Sequence, residues 1–256
     1  MKLFQNTWRL FLLFIGMLAM VCRAAPLPDR VTMAVDNYLP YVNFDTRAGQ
    51  KPGYMVAITQ RIFARQGISL HLIHAPYARS LQLGKQRQID GLFAQRYVEG
   101  TYYAPTTAHG ISRVCLYVRR EPTELAGVRK IGLNMGYDIA SLAGFSDVQK
   151  LVRKHRKQLV RLTGDEPVKR YTELLLAGRI DGFIENDYVA SWYFRRLAQP
   201  PLPQTCSVGQ AMYILFFTTS PDGNALAGLI DEGIKQLRAS GELGRILEEY
   251  GLEDWQ

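Results

Sequence analysis

The tripeptide Ile-Asp-Gly occurs twice, each time followed by two apolar residues: IDGLF at 89–93 and IDGFI at 180–184. Each copy follows an amphipathic stretch, LQLGKQRQ in the first case and YTELLLAGR in the second. A helix returning into a short apolar strand is the building unit of α/β folds. Two such units in one chain predict two α/β lobes of similar design, with each copy marking the entry to a buried strand. The glycine is expected to permit close helix–strand packing, and the apolar pair to fill the sheet.

The segments between fit that frame. VTMAVDNYLPYVNF (31–44) is a strand-like run breaking into a proline-containing loop, and GYMVAITQRIFARQG (53–67) carries Val56, Ile58, Ile62 and Phe63 at helix spacing before Gly67. ISLHLIHA (68–75) alternates as a strand does, and ARSLQLGKQRQ reads as a short helix. The opening order strand, helix, strand, helix, strand favours a parallel sheet with helices on its faces. ISRVCLYVRR (111–120) predicts one strand, LAGVRKIGLNMG (125–136) a turn and strand, and VQKLVRKHRKQLV (148–160) a helix. PPLPQT (200–205) is a connector and GQAMYILFFTTS (209–220) a long strand. Two helices finish the chain. The first follows an Asp222 cap and places Leu226, Leu229, Ile230, Ile234 and Leu237 on one face; the second carries Leu243, Ile246, Leu247 and Tyr250.

In open α/β sheets ligands collect beyond the carboxyl ends of the strands. Gln95, Arg96 and Tyr97 after the first copy, and Glu185, Asn186 and Asp187 after the second, are therefore expected to face a shared crevice. Two lobes joined by paired strands predict hinge closure around a ligand.

The beginning of the chain is set apart. Lys2 and Arg9 flank the apolar run LFLLFIGMLAMV (10–21), and a small-residue site follows at Cys22-Arg23-Ala24. A basic start, a short apolar core and a cleavage-like end predict a secretory signal over residues 1–24, removed after Ala24. The run is too short for a membrane span, which needs about 20 apolar residues. Lipidation of Cys22 is the weaker alternative, because bulky Val21 precedes it. Without the signal, 28 basic residues stand against 23 acidic ones and the formal charge falls from +8 to +5. That mild excess, export and the lack of a recognition motif argue against a nucleic-acid partner. The densest basic cluster, RKHRK at 153–157, reads as a solvated helix face. Cys115 and Cys206 survive cleavage, as a disulfide in an oxidising compartment or as free buried thiols. Two cysteines are too few for a structural zinc site, and His71, His74, His109 and His155 show no ligand spacing with them. No cofactor or metal is expected.

In order and spacing the segments YLPYVNF, KPGYMVAITQRIFARQGISL, PYARSLQLGKQRQIDGLFA, LAGVRKIGLNMG, ELLLAGRIDGFIEND and PDGNALAGLIDEGIKQLRASGELGRILEEYGL resemble the polar amino-acid-binding family of periplasmic solute-binding proteins, across 30–252. The resemblance implies an α/β, two-lobed fold of type II topology, each lobe a helix-flanked, mostly parallel sheet. Lobe one would begin at 25–112 and be completed by the C-terminal helices at 213–256, with lobe two and the hinge strands at 113–212. Family members place an arginine after a Thr-x-x motif to clamp the ligand carboxylate, a bidentate pairing lysine cannot copy. Here that stretch reads RYVEGTYYA, with no arginine at the expected place. The acid that holds a ligand ammonium corresponds to Asn186, the Gly-Thr-Thr segment to Gly136-Tyr137-Asp138, and an acid common in the first helix is replaced around Met55 to Ala57. The scaffold is kept and the α-amino-acid clamp is not evident. Tyr38, Tyr41 and Tyr77 occupy positions where family members place rings against ligand, and Arg79 or Arg96 would replace the missing clamp. With Tyr97, Tyr137, Asp138, Asn186 and Asp187 they form the candidate set.

These readings imply a non-catalytic periplasmic receptor for a small polar solute, an amino acid or related compound, delivering it to an ABC importer or to a sensor in the inner membrane. An aromatic-lined cleft with one or two charges suits a ligand of that size. A stand-alone sensor or degenerate relative is the first alternative. The second is an enzyme like the cyclohexadienyl dehydratases of this fold, with Glu185 or Asp187 as acid–base. A monomer is expected, with no kinase, cyclase or lytic domain after the last helix pattern.

Overall fold

The computed structural model describes residues 27–45, 49–95, 99–120, 125–134, 142, 144–162 and 167–256. Strands β1 (Arg30–Val35), β2 (Ser69–His74), β3 (Gly91–Gln95), β4 (Tyr102–Tyr103), β5 (Gly110–Ser112) and β11 (Gln210–Phe217) build the first sheet, in the order β2-β1-β3-β11-β4 with β5 also on β11. The second sheet holds β6 (Val114–Val118), β7 (Ile131–Leu133), β8 (Leu159–Val160), β9 (Gly182–Asn186) and β10 (Gln204–Cys206), in the order β10-β6-β9-β7-β8. Helices α1 (Tyr54–Ala64), α2 (Tyr77–Lys85), α6 (Gly223–Ala239) and α7 (Glu242–Glu248) belong to lobe one, and α3 (Ser146–Lys154), α4 (Pro167–Leu176) and α5 (Asp187–Arg196) to lobe two.

Strand periodicity assigns each sheet two packed faces. Phe93 and Phe183 belong to the main apolar cluster, which reaches from Met33 and Ile230 in lobe one to Tyr117 and Phe194 in lobe two. Their neighbours Leu92 and Ile184 point the other way, into separate clusters with Leu83 and Leu215, and with Leu133 and Val148.

The repeated tripeptide does equivalent work in the two sheets. Gly91 lies opposite Met33 of β1, and Gly182 opposite Ile131 of β7. One residue earlier, Asp90 donates its backbone N–H to Thr32 O at 2.7 Å and accepts from Thr32 N through its carboxylate at 2.8 Å. Asp181 likewise donates its N–H to Lys130 O at 2.8 Å, and its carboxylate accepts from Arg129 N and Lys130 N. Each aspartate thus pins the register of a parallel strand pair. The glycines serve strand–strand approach rather than the expected helix–strand packing: a Cβ on Gly91 would collide with Leu215 O, and one on Gly182 would lie 2.9 Å from Tyr117 O.

Two expected elements differ. The stretch 111–120 is not one strand: β5 pairs with β11 in lobe one and β6 pairs with β9 in lobe two, so the chain changes sheets at Arg113. The helix expected over 148–160 ends at Lys154, because Leu159 and Val160 are drawn into pairing with β7. The return crossing lies at 207–209, between β10 and β11. Asp222 precedes α6 but makes no side-chain cap bond.

The two crossings are tied together inside lobe two. Cys115 and Cys206 face each other across the β6–β10 pair with Cα atoms 4.0 Å apart and form a disulfide. Ser207 N donates to Val114 O at 2.8 Å, and Val114 N donates to Ser207 Oγ at 3.0 Å.

Candidate functional site

Beyond the carboxyl ends of β1 and β2 lies a cavity of about 200 Å³, floored by Ala34, Val35, Leu92 and Phe93 and rimmed by Asp36, Asn37, Tyr38, Tyr77 and Ser80. The loop after β1 is held by reciprocal backbone bonds between Tyr38 and Val42, which present the Tyr38 ring to the cavity. Tyr77 opens α2 and is 46% exposed. Among the described lining residues Asp36 is the one charged side chain; its carboxylate is 3.4 Å from His74 Nε2, with both groups about half exposed. Asn37 Oδ1 accepts from Phe44 N, and Ser80 Oγ donates to Ala75 O. The arrangement offers two rings, one carboxylate and a few amide and hydroxyl groups to a small polar molecule. Arg79 is exposed on α2 and makes no ion pair among the described residues.

A second cluster sits where the chain changes sheets. Asn186 is fully buried and caps α5, its Oδ1 accepting from Tyr188 N and Val189 N. Its Nδ2 donates to Ser112 Oγ at 2.7 Å. The Tyr41 hydroxyl, also buried, lies 3.2 Å from Asn186 Oδ1 and 3.0 Å from Ile111 O. Burial is the main cause that pushes this phenol well above its ordinary pKa. Asp187 is buried and accepts from Arg113 Nε at 2.7 Å; the half-exposed guanidinium is held further into its charged form by this bond and by the carboxylate's charge. Glu185 is fully buried, accepting from Asn186 N at 2.8 Å and from Asn134 Nδ2 at 3.3 Å.

The sequence-derived candidates thus separate into two groups. Tyr38 and Tyr77 share the cavity rim; Tyr41, Asn186 and Asp187 form the buried junction between lobes. A stack of tyrosines joins the groups: Tyr38 on Tyr41 at 5.4 Å and Tyr41 on Tyr188 at 5.8 Å between ring centroids. Arg96, Tyr97, Tyr137 and Asp138 lie outside the described residues. Asp36, Asn37 and Ser80 on the rim, and Ser112, Arg113 and Tyr188 at the junction, were not singled out in the sequence. For Asp36 and Asn37 the signal was there, since both follow directly on a strand end.

Among the described residues no group of three or more His, Cys, Asp or Glu is placed to hold a metal ion, and no helix is long and apolar enough to cross a membrane.

No protein-family model matches the chain, and no curated protein matches it by sequence. Solved structures do. A histidine kinase sensor domain with similarity to periplasmic binding proteins is 22% identical with a TM-score of 0.62, over 88% of this chain and 98% of the other. The second substrate-binding domain of a putative amino acid ABC transporter from Streptococcus pneumoniae is 14% identical with a TM-score of 0.63, over 86% and 99%. An ancestral amino-acid-binding protein, a precursor of cyclohexadienyl dehydratase, is 12% identical with a TM-score of 0.61, over 87% and 95%. With its two crossed-over α/β sheets and these likenesses, the chain has the two-lobed, type II fold of periplasmic binding proteins.

Proposed function

We propose that this protein is a non-catalytic periplasmic receptor that captures a small polar solute, an amino acid or a related compound, by closing two lobes over the cavity between Tyr38 and Tyr77. The observation that carries the reading is that cavity: a pocket at strand carboxyl ends with two rings and, among the described residues, one charged side chain, in a molecule whose described chain passes between the sheets at Arg113 and again at 207–209. The fold neighbours support it, because they include amino-acid-binding and ABC-transporter domains. Signal-like residues 1–24 support export to the periplasm, and the transporter neighbours support delivery to an ABC importer. The carboxylates an acid–base mechanism would draw on are already engaged, Asp187 by Arg113 and Glu185 by Asn134 and the Asn186 amide, which favours binding over catalysis.

A stand-alone sensor is the second reading. The neighbour with the highest identity among those named above, 22%, is a kinase sensor domain. Neighbouring genes for a permease and ATPase would favour import; a sensor kinase gene would favour sensing.

The test is a thermal-shift screen of amino acids, polyamines, organic acids and aromatic precursors. A ligand at a hundred times its Kd stabilises the folded state by about 2.7 kcal/mol. A flat response across the panel overturns the receptor reading, and turnover of prephenate or arogenate overturns the non-catalytic one.

A further inference from the structure

The charge of the chain is unevenly divided between the lobes. From Arg113 to Cys206, sixteen Arg and Lys residues stand against ten Asp and Glu; in the rest of the chain from Ala25 onward, twelve stand against thirteen. The topology gathers much of this excess on one edge of the lobe-two sheet. Arg119 and Arg120 follow β6, Arg179 precedes β9, and Arg129 with Lys130 precedes β7. Because β6 is antiparallel to β9 while β7 and β8 run parallel with it, these positions fall at the same end of the sheet. The register places Val118 and Ile131 both opposite Gly182, and Ile131 opposite Leu159, so Arg156 and Lys157 continue the row beside β8. Across four adjacent strands the row spans about 15 Å.

These cations are exposed, and none makes an ion pair among the described residues. Among the described residues the acid in their midst is Asp181, whose carboxylate accepts from the backbone N–H groups of Arg129 and Lys130. Glu121 and Glu124, between Arg120 and Leu125 in the chain, lie outside the described residues. At one end of the row a second cavity, about 210 Å³, is lined by Arg119, Arg120, Gly178 and Asp181. The Arg119 guanidinium leans over Gly178, its Nη1 3.3 Å from where a Cβ would stand. Leu176, the last residue of α4, is 46% exposed just before this turn.

We propose that this pole of lobe two docks on an anionic phospholipid bilayer, with a headgroup phosphate beside Arg119 and Arg120. The row follows the ends of neighbouring strands and so presents a broad front to a planar charged surface. An exposed leucine among the cations suits the boundary between headgroups and acyl chains better than it suits an acidic protein. The pole lies at the opposite end of β9 from Asn186, so docking leaves the crevice between the lobes free. The inference is independent of which solute the crevice takes.

The experiment is co-sedimentation of residues 25–256, which contain every described element and exclude the apolar run at 10–21, with phosphatidylglycerol vesicles and with phosphatidylcholine vesicles. Binding is expected only to the former and should weaken as salt is raised. Each cation near an anionic leaflet contributes about fivefold in affinity, so R119Q/R129Q/K130Q should lose at least tenfold. A control that removes three lobe-one cations, R30Q/K85Q/R245Q, should lose less than threefold, with both variants melting close to the parent. Equal losses in the two variants, equal binding to both lipids, or no vesicle binding overturns the proposal; the last, with capture of an acidic protein, would assign the edge to a protein partner. Inorganic phosphate should displace the protein from vesicles better than chloride at matched ionic strength. Calorimetric binding of phosphate without vesicle binding would identify a free anion as the ligand and also overturn the bilayer.

Discussion

The Tyr41 hydroxyl of lobe one lies 3.2 Å from Asn186 Oδ1 of lobe two, joining residues 145 positions apart at the point where the chain passes between sheets. Because Asn186 also caps α5 and donates to Ser112, a single amide holds the start of a lobe-two helix, the crossing between sheets and the tyrosine stack together. Tyr41→Phe removes one bond of a satisfied set and is expected to cost about 1 kcal/mol. Asn186→Asp keeps the cap but loses the donor to Ser112 and adds a carboxylate beside buried Glu185 and Asp187. It should cost roughly 2–3 kcal/mol at neutral pH and less in acid, by the unfolding midpoint in urea.

His109 should make the fold sensitive to mild acid. Its ring is fully buried, its Nδ1 faces Ile214 N at 3.4 Å, and burial lowers its pKa to about 3; the Asp231 charge only partly opposes this. The unfolded chain, with an ordinary pKa of about 6.5, therefore binds the proton first as pH falls. Stability is full above about 6.5 and declines toward 3, by about 1.4 kcal/mol per pH unit in the middle of that window. Urea midpoints between pH 7 and about pH 4, roughly 2.5 units into that window, should fall in the parent and be flatter in His109→Asn.

Breaking the disulfide should be costly, because it closes most of lobe two into one loop. Cys115 and Cys206 are 91 residues apart in sequence. Loop-closure entropy puts the loss in Cys115→Ala/Cys206→Ala at roughly 4–5 kcal/mol. Thiol reductant should lower the melting temperature of the parent and leave the double variant unchanged.

Removing a ring from the cavity rim should weaken solute binding without unfolding the protein. Tyr77 is 46% exposed, so Tyr77→Ala is expected to cost under about 1 kcal/mol in stability. With a ligand found by the screen, its Kd should rise at least tenfold, the loss of about 1.4 kcal/mol of contact. Tyr38→Ala should weaken binding too, with a larger stability cost through the Tyr41 stack. Unchanged affinity in both variants would move the site elsewhere.

The local pattern was largely legible. Helix spacing at Val56, Ile58, Ile62 and Phe63, and the two Ile-Asp-Gly strands, stand where the sequence put them, because each depends on burial of one face. The break at Arg113 was not legible, since β-branched and apolar residues continue through it and only pairing with two different partners divides the strand. The roles of Asn186 and Asp187 were also hidden. Position after a strand end predicts a crevice, but Tyr41, Ser112 and Arg113 reach them from 74 to 145 residues away and absorb their polar atoms. Asp36 and Asn37 were overlooked beside the more conspicuous tyrosines.

Asp90 and Asp181 hold their strands from the edges opposite the crevice, through backbone amides of the neighbouring strand. Alignment of each sheet therefore makes no demand on the side chains at the other end. Residues at those ends can be exchanged over generations while the strands stay in step. Chains that share this arrangement can diverge at those ends and remain alike in shape.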